Sequence, residues 1–351
     1  MKDLTQRPVL AGEERIRRLI HILNPILAIM VAFVAAGLVV SISGDSPLEA
    51  YAALLRGAFG NLPGVRNTIR YTIPIVLLAF SFSLCQRCGY FNIGQEGQMY
   101  VAATVAAFVS QALAGTPLML RVTVIMVCSC AAAGVVALIP ALIKVLLGVN
   151  EIVVAVMMNY ILSLFSSWTL LYSSIADQNA SMPKSIPIPE QISQTGLFIA
   201  MVVIILLYQF ILHHTTAGYQ LRITGKNSRF AGACGLSPRR VIFTAAFAAG
   251  VLAGFAALGE VLGVYHILYD GFPAGMGYNG MTATLIGQHN PLGIVLGAVV
   301  LGALQSGSVL LSIDTSVSAE MVQVVQGFVM FFATVNIIRC SAWKAAPKKG
   351  D

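Results

Sequence analysis

Long apolar runs separated by short polar or glycine-rich segments extend through almost the whole sequence. A helix needs about 20 mostly apolar residues to cross a bilayer. The runs predict spans at 20–42, 69–86, 97–114, 121–147, 151–173, 196–213, 241–263, 280–288, 292–312 and 319–338. The pattern therefore predicts an all-α, polytopic integral membrane protein with about ten transmembrane helices.

Some segments between the runs predict local irregularity. The stretches 87–96 and 264–279 are rich in glycine and polar residues. Such backbone is tolerated at membrane depth only when it is buried in protein or lines a cavity, so we expect broken or re-entrant helices there. Residues 47–60 are predicted to form a short helix on the outer surface. The first run, 20–42, is longer than a signal peptide core of about 7–15 residues and predicts an uncleaved span.

Composition supports a membrane protein, since 57% of the 351 residues are hydrophobic and 10% are charged. Soluble domains are about a quarter charged, so most of this chain must face lipid. We expect one membrane domain at 20–338, between a basic N-terminal segment at 1–19 and a basic tail at 339–351.

The net charge of +7 predicts topology rather than nucleic-acid binding. Lysine and arginine cluster before the first run, in the interval 214–240 and at the end of the chain. The positive-inside rule makes these three segments cytoplasmic. The intervals 43–68 and 174–195 carry charges that nearly cancel, and we expect them outside.

No catalytic or metal site is predicted for this chain. Cys85 and Cys88 have metal-like spacing, but a structural zinc usually needs a second ligand pair nearby, and the sequence supplies none. The sequence also lacks a phosphate-binding loop of the form Gly-x-x-x-x-Gly-Lys-[Ser/Thr]. We therefore expect no cofactor on this chain and no ATPase site.

The polar stretch 90–99 interrupts two strongly apolar runs. Its amides and carboxylate suit a transport pathway, because polar groups at this depth usually face a bundle interior. A cytoplasmic turn followed by a helix start explains the same residues. The residues alone leave both interpretations open.

Two glutamates and a basic loop also allow two interpretations each. Glu151 opens a long span, where a carboxylate favours the helix N-terminus. Glu260 lies late in an apolar run and is either functional or a helix-end carboxylate. The glycines around it favour a helix–helix seam. In 214–240, residues 228–233 predict a short helix that either docks on a soluble partner or only connects two spans.

Several motifs resemble a known family. Residues 91–98 (Phe-Asn-Ile-Gly-Gln-Glu-Gly-Gln) are similar to the signature of the inner-membrane permeases of branched-chain-amino-acid, ribose and nucleoside ABC importers, most closely the purine-nucleoside branch. Residues 148–151 with 158–160, 225–236 and 277–291 resemble further motifs of that branch. Leu236 replaces the family's usual isoleucine, and Cys234 is unusual.

The resemblance implies roles for individual residues. The expected substrate-pathway residues are Phe91, Asn92, Gln95, Glu96, Gln98, Asn159, Asn279 and Thr282. The expected ATPase-coupling residues are Gly225, Lys226, Asn227, Ala231, Gly232 and Gly235.

The resemblance also implies an assembly in the bacterial plasma membrane. We expect a second, related permease as a heterodimer partner, an ABC ATPase with two nucleotide-binding domains that holds the ATP, and an extracytoplasmic substrate-binding lipoprotein. The expected substrate is a nucleoside. A ribose permease is the alternative within the class, and an ion-coupled secondary transporter using Glu96 and Glu260 is the rival from another class.

Overall fold

The computed structural model describes residues 27–334 except 28, 43–44, 190–193, 274, 289 and 315–320. The predicted basic segments 1–19 and 339–351 lie outside the described residues. The described residues form helices, with isolated β-bridges in the connections. The helices are α1 Ile29–Ile42, α2 Pro47–Phe59, α3 Leu62–Gln86, α4 Gln95–Ala112, α5 Leu118–Leu147, α6 Glu151–Tyr172, α7 Gln194–His214, α8 Thr216–Lys226, α9 Ser228–Ala233, α10 Pro238–Glu260, α11 Met276–Ile286, α12 Pro291–Asp314 and α13 Met321–Thr334.

Helices in the described residues confirm the all-helical membrane architecture. Five of them are long and apolar enough to cross a bilayer, namely α3, α5, α6, α10 with its π-helical extension to Tyr265, and α12. The number rises to seven if α1 with α2 and α7 with α8 each form one bent span. The figure of about ten spans stays a prediction.

Local sequence signals explain where the central helices start and stop. Asn61 caps α3, because its Oδ1 accepts the Gly64 N–H at 2.7 Å. The left-handed conformation of Gly148 ends α5. Asn150 caps α6 by accepting the Ile152 N–H at 2.9 Å. A short connection therefore joins two long apolar helices.

The chain forms two compact units. One contains α1, most of α2, the end of α12 and α13; within it, Gly307 lies against the backbone of Leu54. The other spans 58–306 and contains α3–α11 and most of α12. Within this second unit α3 is the most enclosed of the five spanning helices and α6 the most open.

Small residues let α5 and α10 approach closely. A Cβ at Gly250 would lie 2.4 Å from the carbonyl oxygen of Ala133, and one at Gly254 would lie 3.0 Å from the Cα of Cys130. Small residues in this role are typical of membrane helix interfaces. The predicted helix–helix seam is confirmed at these two glycines.

The predicted irregular segments are confirmed as breaks between helices. The chain leaves α3 at Gln86 and resumes helix at Gln95. Between the π-helical turn Val261–Tyr265 and the start of α11, the described residues are non-helical. The short span predicted at 280–288 is wrong in its start, since α11 begins at Met276. The Glu96 carboxylate accepts the N–H groups of Gly275 and Gly277 at the start of this helix. Hydrophobic periodicity along the sequence does not reveal such a long-range contact.

Candidate functional site

The turn at 87–94, between α3 and α4, is held by charged side chains from the α5–α6 connection. Lys144 Nζ donates to the Gly89 carbonyl at 3.0 Å and pairs with the Glu151 carboxylate. Glu151 Oε1 also accepts the Phe91 N–H at 3.4 Å. Glu151 lies in the first turn of α6, as predicted. In addition, it holds the 87–94 turn through the Phe91 N–H.

The expected pathway residues Asn92, Gln95 and Gln98 are buried and bonded within the chain. Asn92 Oδ1 accepts the Gly94 N–H at 3.1 Å and the Gln98 amide at 3.0 Å. Gln95 Nε2 donates to the Leu78 carbonyl at 2.5 Å. These amides shape the bend that leads into α4. Their contact with a substrate stays a prediction.

Asn159 clamps the start of α4 onto α6. Its Oδ1 accepts the Gly97 N–H at 2.9 Å, and its Nδ2 donates to the Ile93 carbonyl at 3.0 Å. Gly97 lies close to this clamp, since a Cβ there would lie 2.8 Å from Leu162 Cδ1 and 3.0 Å from Asn159 Oδ1. Both ends of one buried amide are therefore used to position the broken segment.

Glu96 joins the start of α4 to the start of α11. Its carboxylate accepts backbone hydrogen bonds from Gly275 and Gly277, while its Oε1 has no hydrogen-bond partner. The positive end of α11 favours this negative charge. Asn279 and Thr282, the other expected pathway residues, lie buried on α11. Glu96 on α4 and the two residues on α11 therefore lie on neighbouring helices.

A stripe of partly exposed polar side chains continues from Glu96 along α4, α6 and α11. We call it the polar stripe, and it consists of Glu96, Tyr100, Tyr160, Ser163, Ser167, Asp270 and Tyr278.

Contacts between neighbours make the polar stripe continuous. Tyr100 pairs with Ser163. Ser167 Oγ donates to Asp270 Oδ1 at 2.5 Å. Hydrocarbon satisfies no polar group, so we expect a polar face on a spanning helix such as α6 to lie opposite protein or water.

Sequence reasoning did not select most of the polar stripe. It named Glu96, and the motif at 277–291 contains Tyr278, but Tyr100, Ser163 and Ser167 were not selected. A signal was present, because Glu96 and Tyr100 stand four residues apart, as do Ser163 and Ser167, and such pairs share one helix face. Only the fold shows that the two faces adjoin.

The expected coupling residues lie on α8, α9 and the turn after α9. Asn227 caps α9, since its Oδ1 accepts the Phe230 N–H at 3.0 Å, which confirms the short helix predicted at 228–233. Ala231 is buried, whereas Lys226, Gly232 and Gly235 are exposed. The Phe230 side chain is 56% exposed on this polar segment. The helix presents a small-residue face with one protruding ring.

Gly225 connects this coupling segment to the 87–94 turn. A Cβ at Gly225 would lie 2.1 Å from the carbonyl oxygen of Arg87. Gly89, on the same turn, is placed so that its Cβ would lie 3.7 Å from the Cα of Gly225. The backbone of α8 therefore packs directly on the backbone of the 87–94 turn. We expect a displacement of α8 to move this turn.

Glu260 is ion-paired with Arg70. Arg70 Nη2 lies 3.6 Å from Glu260 Oε2. The Arg70 guanidinium also lies 4.7 Å from the ring centre of Tyr71 and 5.3 Å from that of Tyr265. The Glu260 carboxylate, which the ion-coupled alternative assigns to ion binding, is therefore already neutralised by a cation of this chain.

Comparison with known proteins adds independent information. The family model described as the permease component of branched-chain amino acid transport systems matches residues 64–334. The guanosine ABC transporter permease protein NupP of Bacillus subtilis is 31% identical, over 90% of this chain and 94% of its own length.

Two further relatives are named for a nucleoside and for a sugar. The nucleoside ABC transporter permease protein NupB of Lactococcus lactis is 25% identical, over 94% of this chain and 98% of its own length. The glucose ABC transporter permease protein TsgB13 of Haloferax volcanii is 21% identical, over 88% and 86% respectively. No solved structure gives a significant match.

Proposed function

Because this chain belongs to the family of permease components of branched-chain amino acid transport systems, we propose that it forms part of the membrane pathway of an ABC importer for nucleosides. The observation that carries the proposal is the polar stripe, which needs water or protein opposite it at membrane depth. The 31% identity to a guanosine permease supports the substrate class.

The chemistry of the stripe suits a neutral, amphiphilic substrate. A nucleoside carries a hydroxylated sugar and a flat base, so its pathway needs hydroxyls, amides and aromatic rings. Tyr100, Tyr160 and Tyr278 provide rings with polar tips, and Ser163 provides a hydroxyl. The buried Glu260 charge is held by Arg70 and adds no unpaired ion to this surface.

The proposed topology has about ten spans with both termini and the coupling segment on the cytoplasmic side. ATP-driven movement of the partner ATPase acts on α9. Gly225 passes the displacement to the 87–94 turn, and Asn159 and Glu96 pass it to α4 and α11. The pathway side chains on these helices then change the side of the membrane that they face.

The proposed complex contains a second, related permease, so the pair is a heterodimer. An ABC ATPase with two nucleotide-binding domains binds the ATP, and an extracytoplasmic lipoprotein delivers the substrate. This chain binds no cofactor. It contributes side chains to the substrate pathway and, through α8 and α9, the segment that contacts the ATPase. Family membership supports the ATPase and the binding protein as partners.

The test is uptake of labelled guanosine by the complete complex in vesicles, with ATP supplied on the side of the ATPase. We expect uptake that requires ATP and persists when ion gradients are dissipated. Uptake driven by a sodium or proton gradient without ATP would contradict the proposal.

A further inference from the structure

Within the polar stripe, Glu96 stands near the side chains of Tyr100, Tyr160 and Tyr278. Tyr100 and Tyr278 are both close enough to the Glu96 carboxylate to interact with it electrostatically. Tyr160 neighbours Tyr278 and is 71% exposed. Helices α4, α6 and α11 each supply at least one of these four side chains.

Two of the rings are anchored by their polar tips. The Tyr100 hydroxyl pairs with Ser163, and the Tyr278 hydroxyl pairs with Asn159, both on α6. Anchoring at the hydroxyl restricts each ring, and both residues remain partly exposed. A restricted, accessible aromatic face is a platform on which a flat heterocycle stacks with little loss of side-chain freedom.

The carboxylate of Glu96 retains hydrogen-bonding capacity. Gly275 and Gly277 donate to it from one side, yet Oε1 has no partner although it is buried. An ionised carboxylate only accepts hydrogen bonds, and its two oxygens can accept from two donors side by side. Vicinal hydroxyls present that pattern of donors, and such bonds are charge-assisted.

We infer that Glu96, Tyr100, Tyr160 and Tyr278 form a transit site for a ribonucleoside, in which Glu96 accepts the 2′- and 3′-hydroxyls and the tyrosine rings stack on the base. The inference rests on the proposed function and adds the part of the substrate that each side chain recognises. Because the two ends of the ligand are recognised by different groups, free ribose and 2′,3′-dideoxynucleosides each satisfy half of the site.

The ribose contact is tested in the complete complex by comparing uptake of guanosine with uptake of 2′,3′-dideoxyguanosine. Wild type and Glu96→Gln are assayed with the same lipoprotein, so its own selectivity cancels when the two uptake ratios are compared. We expect the preference for guanosine to fall about tenfold in Glu96→Gln, because a charge-assisted acceptor is lost. An unchanged ratio, with both substrates slowed equally, would show that Glu96 only caps α11 and would overturn the assignment.

The base contact is tested independently, so that a poorly folding Glu96→Gln variant does not decide the matter. Tyr278→Phe keeps the ring, and we expect it to take up guanosine at least about fivefold faster than Tyr278→Leu. Phe165→Leu is the control, because Phe165 is an exposed ring on α6 that packs on Trp168 and not on the stripe. Equal losses of guanosine uptake in Tyr278→Phe and Tyr278→Leu would show that the ring of residue 278 does not stack on the base.

Photolabelling of the wild-type complex with 8-azidoguanosine gives a direct readout. We expect the labelled peptides to contain Tyr100, Tyr160 or Tyr278, and excess guanosine to prevent the labelling. Label found only in other peptides would contradict the assignment of these tyrosines to the site. Wild-type complex that shows no ATP-dependent guanosine uptake would overturn the proposed function and this site together, whereas normal uptake with an unchanged Glu96→Gln ratio overturns the site alone.

Discussion

Gly225 lies directly against Arg87, so closely that a Cβ on residue 225 would stand 2.1 Å from the Arg87 carbonyl oxygen. The contact joins α8 of the coupling segment to the turn that precedes α4. The same turn leads to Asn92 and then to Glu96. A backbone-to-backbone contact of this kind transmits displacement with little slack, since no flexible side chain intervenes.

Gly225→Ala is therefore expected to impair transport. The added methyl forces α8 and the 87–94 turn apart, at a cost of about 1–3 kcal/mol for overpacking. We expect a lower Tm and reduced ATP-dependent uptake. Gly327→Ala on α13 is the matched control, because nothing lies within 4 Å of its added Cβ and Gly327 is not one of the expected coupling residues. If Gly225→Ala matches wild type in both measurements, the contact is not a lever.

A bulky residue at position 232 tests the contact with the ATPase without disturbing the fold of this chain. The position is open in the structure, so Gly232→Trp is expected to leave the Tm unchanged while blocking a partner at the small-residue face of α9. Substrate-stimulated ATPase activity of the complex is expected to fall. Stimulation equal to that of Gly232→Ala would argue that α9 does not dock on the ATPase.

The sequence predicted the order of apolar helices because hydrophobic run length is a local property. It also predicted the breaks at 87–96 and 264–279, which glycine and polar residues mark locally. The start of α11 was not predictable, because Glu96, which is about 180 positions away in the chain, supplies its N-terminal contacts.

Replacement of Asn159 by leucine is expected to loosen the start of α4. The change removes the bonds to Gly97 and Ile93 and leaves a buried N–H and a carbonyl without partners, which costs about 1–3 kcal/mol each. Thermal unfolding of the purified complex measures the effect. Thr104→Val is the control, since Thr104 bonds only the Tyr100 carbonyl of its own helix. Equal Tm values for the two variants would show that the clamp contributes nothing.

The candidate site was predictable only in part. The resemblance named Glu96 and Asn159, and the structure shows them at the junction of α4, α6 and α11. It did not name Tyr100, because a single tyrosine in an apolar helix is common near membrane interfaces. The proximity of Tyr278 to Glu96 depends on the packing of α11 against α4, which residue patterns do not encode.

The Arg70–Glu260 pair is expected to be structural. Arg70→Leu leaves a buried, uncompensated Glu260 carboxylate and is expected to destabilise the protein by about 3–5 kcal/mol. Replacing both residues by leucine removes both charges and is expected to recover most of the loss in Tm. A double variant that is less stable than Arg70→Leu would show that the pair provides more than mutual neutralisation.

The central claim is that the complex carries nucleosides, and competition in the vesicle assay tests it most directly. Labelled guanosine is taken up by the wild-type complex with ATP, in the presence of a large excess of unlabelled ribose or of unlabelled adenosine. We predict that adenosine competes and that ribose does not. Uptake abolished by ribose would contradict the account and identify the substrate as a sugar.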